Sequence, residues 1–109
     1  MTDWNSKLAI GTANFGLAYG ATNNNGRLSD AEINSIMHEA KSSKVTTFDT
    51  AQGYGDSEER LSSFLNDESN LITKIGIELQ SNKVSLNLQQ LFARSLCRLK
   101  CERVYALLL

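Results

Sequence analysis

Apolar strand-like runs and helical patterns alternate along this sequence, and that alternation constrains the fold more than any other feature. KLAI at residues 7–10 reads as a strand. The turn or loop GTANFG follows, then YGATNNNG, where Asn23, Asn24, Asn25 and Gly26 are strong turn formers. Ser29 with Glu32 three positions later makes a capping-box pattern. Ile33, Ile36, Met37 and Ala40 form one apolar stripe, so a helix is predicted over residues 30–43. VTTFDTA at 45–51 is β-branched and aromatic and reads as a second strand. Asp56 and Glu59 repeat the capping-box spacing before Leu61, Phe64 and Leu65, the apolar side of a short helix ending near residue 66. LITKIG at 71–76 is a third strand. Leu88, Leu91, Phe92, Leu96 and Leu99 hold helical spacing as a core-facing stripe, and VYALLL at 104–109 is a fourth strand. The order β-α-β-α-β-α-β predicts an α/β fold with parallel strands. The near-continuous apolar strands point to a sheet covered on both faces.

The totals exclude several classes. A chain of 109 residues is one small domain at most. Eleven basic and 12 acidic residues give a net charge of −1, which offers no footprint for a nucleic acid or an anionic membrane. No apolar run approaches the roughly 18 residues of a membrane span. The N-terminus, MTDWNSKLAI, lacks the long apolar stretch of a secretory signal. Cys97 and Cys101 are too few for a disulfide framework, so a cytoplasmic setting is the expectation.

Within LITKIG, Lys74 sits among apolar neighbours. An ammonium buried without a partner costs several kcal/mol or gives up its proton. Ligands of parallel α/β sheets bind outside the carboxyl ends of the strands. Lys74 closes the apolar part of its strand, and Asp49 closes that of the strand before. Consecutive βαβ strands tend to be neighbours, but alternation along each strand leaves open whether the two side chains share a face. If they do, a contact within about 4 Å at an effective dielectric near 20 is worth about 4 kcal/mol, enough to offset much of the desolvation. Otherwise Lys74 snorkels to solvent and Asp49 caps its turn. Tyr54 stands between Gly53 and Gly55 on the following loop, at the same end of the sheet. An ammonium beside a phenol favours the phenolate and so eases loss of the phenolic proton. A phenol, an ammonium and a carboxylate together make a proton-donating unit for a developing alkoxide, as carbonyl reduction requires.

FDTAQGYGDSEERL, with the earlier GTANFGLAYG and the later LITKIG, resembles the aldo-keto reductase family, and the long YGATNNNG loop looks most like its bacterial members. The resemblance covers essentially the whole chain and the first half of that family's usual length. It implies the first half of an eight-stranded TIM (β/α)8 barrel over residues 1–109, with NADPH (NADP) as hydride donor and an aldehyde or ketone as the small-molecule carbonyl substrate. It places the family's catalytic aspartate, tyrosine and lysine on Asp49, Tyr54 and Lys74. It places the approach to the nicotinamide at Gly11, Thr12 and Ala13, with Asp49 beside them. The family's catalytic histidine follows the fourth strand, where this sequence reaches Leu109, and the family's main phosphate-binding residues come later still. Lys44 stands where many relatives have glycine at the helix exit. A chain with only this half is expected to be inactive alone. The alternative is a non-catalytic half-barrel that associates with itself or a partner through open sheet edges.

Other patterns carry less. GTANFG continues with Leu17 and Ala18 rather than the lysine of a phosphate-binding P-loop, and GYGDSE has Glu58 in place of the third glycine of a dinucleotide fingerprint. Cys97 and Cys101, i and i+4 near a helix end, have no further ligand beside them for a metal. His38 reads as a solvated helix residue. Glu58, Glu59 and Arg60 read as a solvated helix start, and Arg94 and Arg98 as surface.

Overall fold

The computed structural model describes residues 4–20, 26–76 and 84–109. The predicted turn at Asn23–Asn25 and the polar stretch at 80–83 lie outside the described residues. Four strands form one parallel sheet in sequence order: β1 (Ala9–Gly11), β2 (Thr47–Asp49), β3 (Asn70–Lys74) and β4 (Ala106–Leu108). The helices are α1 (Ala13–Gly16), α2 (Asp30–Ser42), α3 (Ser57–Ser62) and α4 (Val84–Leu99).

The strands are shorter than their apolar runs. A 3₁₀ turn at Trp4–Lys7 takes the start of KLAI, and Tyr105 is exposed ahead of β4. GTANFG, read as a turn, folds into the single helical turn α1. At the start of α2 both halves of the capping box form, Ser29 Oγ accepting from the Glu32 amide and the Glu32 carboxylate from the Ser29 amide. At α3 the repeated spacing does not act as a cap. Asp56 makes no side-chain cap bond, and its carboxylate accepts from Arg27 at 2.7 Å instead.

Two helix exits share one device. After α2, Val45 N–H donates to the Ala40 carbonyl and Lys44 N–H to that of Lys41. After α4, Cys101 N–H donates to Leu96 and Lys100 N–H to Cys97. These are Schellman turns, which need a left-handed residue. Lys44 (φ 57°) and Lys100 (φ 53°) fill that position, where glycine is the unstrained choice.

Helices cover one face of the sheet. Phe48 and Leu71 point to that side and join Phe15, Ile33, Met37, Ala40, Val45, Leu61 and Leu99 in one core. Parallel register places Gly11, Asp49 and Ile72 side by side, and Lys74 beside Leu108, on the other face. Those residues are half-buried or exposed. The two-sided cover expected from the apolar strands is therefore absent among the described residues. The second face is the one that lines the interior in a closed barrel.

Candidate active site

Register settles the question of shared faces. Asp49 is the partner of Ile72, and Lys74 lies two residues beyond Ile72 on the same side. The Lys74 ammonium donates to Asp49 Oδ1 and also to the Thr50 carbonyl, at 3.0 Å. It stands 5.4 Å from the centre of the Tyr54 ring, a distance at which the π-face attracts a cation. The structure therefore brings Asp49, Tyr54 and Lys74 together at the carboxyl end of the sheet. The lysine is held rather than splayed into solvent.

Backbone contacts lock the strand ends that carry these groups. Thr12 gives both its amide (2.9 Å) and its hydroxyl (3.0 Å) to the Asp49 carbonyl. Gln52 N–H donates to the Lys74 carbonyl at 2.8 Å, while its side-chain amide reaches the Leu91 carbonyl and Ser95 on α4. Tyr54 is fixed through its backbone, its N–H donating to Ala51 and its carbonyl accepting from the Ser57 amide. Gly16 passes so close that an added Cβ would stand 1.6 Å from the Tyr54 carbonyl oxygen. Only glycine permits α1 to rest against the tyrosine loop. Gly55, at φ 57°, makes the turn that completes this contact.

A cleft of about 420 Å³ opens beside the pair, lined in part by Gly11, Thr12, Ala13, Asp49 and Tyr54. The sequence-predicted cofactor residues thus share one cavity with two of the three proposed catalytic ones. Nothing lies within 4 Å of where a Cβ on Gly11 would stand, which leaves that wall open to a flat ring. Two larger depressions, about 980 and 700 Å³, lie elsewhere, the first beside α2 and the second beside the Asn70 end of β3. Neither contains Asp49, Tyr54 or Lys74.

Beneath the strand ends lies a polar layer that periodicity did not reveal. Thr12, Thr50 and Ser57 are fully buried and mutually bonded: Ser57 Oγ lies 2.9 Å from the Thr12 carbonyl, 2.8 Å from its hydroxyl and 3.1 Å from Thr50 Oγ1. Glu58, expected in solvent, is 1% exposed. Its Oε2 accepts from the Thr73 hydroxyl at 3.0 Å, and Oε1 lies 3.8 Å from the Arg98 guanidinium. Arg98 and Arg60, read as surface, are structural. Arg98 joins α4 to Glu58 and Glu59. Arg60 donates to the Phe15 and Leu28 carbonyls and to Asp30, fastening the first loop onto α3. The signal for this layer was present only as polar residue types beside a strand end.

A four-stranded parallel sheet with helices on one face matches part of a (β/α)-barrel, and at its carboxyl end it brings together a carboxylate, an ammonium and a phenol. The sequence matches the Aldo/keto reductase family over residues 7–109, and the chain belongs to that family of oxidoreductases, whose members typically use NAD(P)H. Two solved structures of a candidate aldo-keto reductase from Pseudomonas aeruginosa are similar to it. They align with TM-scores of 0.73 and 0.71 at 29% identity, each over 92% of this chain. The alignment spans 41% and 40% of those longer chains, so the present chain corresponds to under half of each. No curated protein matches the sequence.

Proposed function

We propose that this chain supplies the proton-donating half of an NADPH-dependent reductase of aldehyde or ketone carbonyls. The observation that carries the reading is the Lys74 ammonium, bonded to Asp49 and facing the Tyr54 ring. Tyr54 is the general acid, donating its phenolic proton to the carbonyl oxygen as negative charge develops there. The positive charge of Lys74 attracts the negative charge that develops on Tyr54, and Asp49 with the Thr50 carbonyl holds the amine in place. Gly11, Ala13 and Asp49 along the cleft would hold the nicotinamide end of such a dinucleotide, with the buried Thr12 bracing Asp49 from behind. When bound, that dinucleotide supplies the hydride.

Four parallel strands are half of the eight that close such a barrel. Expressed by itself, the 109-residue chain is expected to show no NADPH-dependent carbonyl reduction. Joined to the matching second half of the Pseudomonas relative, it is expected to turn over a panel of aldehydes and ketones, with Tyr54→Phe abolishing the rate. A folded chimaera with no turnover, or one indifferent to Tyr54→Phe, would defeat the reading.

The second reading is a non-catalytic half-barrel that pairs with another copy. Exposed Leu8, Tyr105, Leu108 and Leu109 lie in or next to the outer strands β1 and β4, which favours it. Sedimentation separates the two: a stable dimer that fails to bind NADPH supports this alternative.

A further inference from the structure

The Ser57-Glu58 dipeptide touches every strand end that carries the proposed chemistry, yet neither side chain faces the cleft. Ser57 reaches β1 through Thr12 and the end of β2 through Thr50. Thr50 is the residue whose carbonyl accepts from the Lys74 ammonium, and Thr12 is the residue that grips the Asp49 carbonyl. Glu58 reaches the end of β3 through Thr73, the residue immediately before Lys74. It reaches α4 through Arg98.

Burying a carboxylate is costly, and in Glu58 it is repaid by one hydroxyl bond and a distant guanidinium rather than by a tight ion pair. A residue serving only to fill the core at this position needs no charge. What the carboxylate does is specific. It gives the buried Thr73 hydroxyl its acceptor, and so fixes the last turn of pleat in β3 on the helix side. Lys74 then leaves from the opposite side at a fixed height. Ser57 fixes β2 in the same way, one strand across, where the acceptors for Lys74 reside.

We infer that Ser57 and Glu58 are positioning residues that set the Lys74 ammonium against Asp49 and Thr50, acting through Thr12, Thr50 and Thr73. The inference rests on the reading of Lys74 as the charge that assists Tyr54, but it is tested on the amine itself, with neither substrate nor cofactor present. A folded chimaera that reduces no carbonyl would therefore sink the functional reading and leave this one standing.

The experiment is proton-exchange NMR of the Lys74 ammonium in ¹⁵N-lysine-labelled chain, assigned with Lys74→Met. Five variants are compared with the parent: Ser57→Ala, Glu58→Gln, Thr73→Val, Thr73→Ser and Ile33→Val. The parent gives a protected ammonium signal. Ser57→Ala and Thr73→Val speed its exchange by about tenfold, the factor that one lost hydrogen bond carries, whereas Glu58→Gln keeps an oxygen that accepts from the Thr73 hydroxyl and holds the parent rate. Thr73→Ser keeps the hydroxyl and restores the parent rate. Ile33→Val trims the helix-side core, across the sheet from the face that carries Lys74, and provides the control for general loosening. Unchanged exchange in folded Thr73→Val overturns the assignment for Glu58, and unchanged exchange in folded Ser57→Ala overturns it for Ser57. Equal acceleration in Ile33→Val overturns both, because the effect is then mere destabilisation. Should Glu58→Gln fail to fold, the Thr73 pair of variants still decides its case.

Discussion

Lys74 donates to Asp49 across adjacent strands, although 25 positions separate them in sequence. The contact follows from register alone: Asp49 aligns with Ile72, and a further two residues bring the amine to the same face and above the carboxylate. Both side chains remain about a third exposed, 31% and 38%. Water therefore screens the pair, and its contribution to folding is small next to its part in the proposed chemistry.

That contrast is measurable. A double-mutant cycle with Lys74→Met and Asp49→Asn, read by urea unfolding, is expected to give a coupling below about 1 kcal/mol. In a chimaeric barrel with turnover, Lys74→Met is expected to lower kcat by about 10²–10⁴, the range of a lost general acid–base contribution. A coupling of several kcal/mol would instead make the pair a structural brace.

Gly16 is expected to be irreplaceable. Gly16→Ala drives a methyl group into the Tyr54 carbonyl oxygen and the Ser57 amide, and both are backbone atoms that cannot swing aside. The expected loss is about 1–3 kcal/mol in urea unfolding, with amide shifts concentrated at residues 54–57. A variant as stable as the parent would mean that α1 lifts away from the tyrosine loop at little cost.

Lys44 offers the opposite result. It holds a left-handed conformation at the exit of α2, where the Schellman turn forms regardless of its side chain. Lys44→Gly removes that strain and loosens the unfolded chain, for a net gain of up to about 1 kcal/mol in thermal or urea unfolding. A net loss would show that the lysine side chain makes a compensating contact.

The capping box predicts an acid dependence. The Ser29 amide and hydroxyl hold the Glu32 carboxyl below the usual carboxylate range. Its folded-state value lies under its unfolded one, so the stabilisation is complete above the unfolded value and fades as pH falls through the folded one. Glu32→Gln removes the titrating group and is expected to lower stability at neutral pH and to flatten this acid limb, as followed by thermal melts from neutral to acidic pH. An unchanged acid limb would place the dependence in other carboxylates.

The two thiols are expected to react unequally. Burial pushes the Cys101 thiol up, while Cys97 is exposed on α4. Mass spectrometry after brief alkylation near neutral pH is expected to find Cys97 labelled first. Preferential labelling at Cys101 would mean that the α4 exit opens readily.

Much of the architecture was legible because it depends on local pattern. The Ser29–Glu32 spacing and the stripe from Ile33 to Ala40 are properties of one helix, and α2 ends within a residue of expectation. Asp49, Lys74 and Tyr54 could be named because strand ends are readable, but only pairing could show which face they share. Glu58 marks where reading fails. An acid in the first turn of a helix is ordinarily solvated, and nothing nearby in the sequence announces that β3 and α4 close over it. Arg60 misleads for the same reason, since its acceptors lie 45 and 32 positions away. The α1 turn and the true strand ends escaped because they are set by contacts with Tyr54 and with neighbouring strands, not by propensity.

Asp49, Tyr54 and Lys74 all precede α4 and all arise from the first three strands and the loops beyond them. The groups proposed to deliver the proton thus lie in one contiguous stretch. A recombination joint placed after β3 would transmit the acid intact while exchanging the walls around it, so ancestry of chemistry and ancestry of substrate preference can diverge within a single lineage.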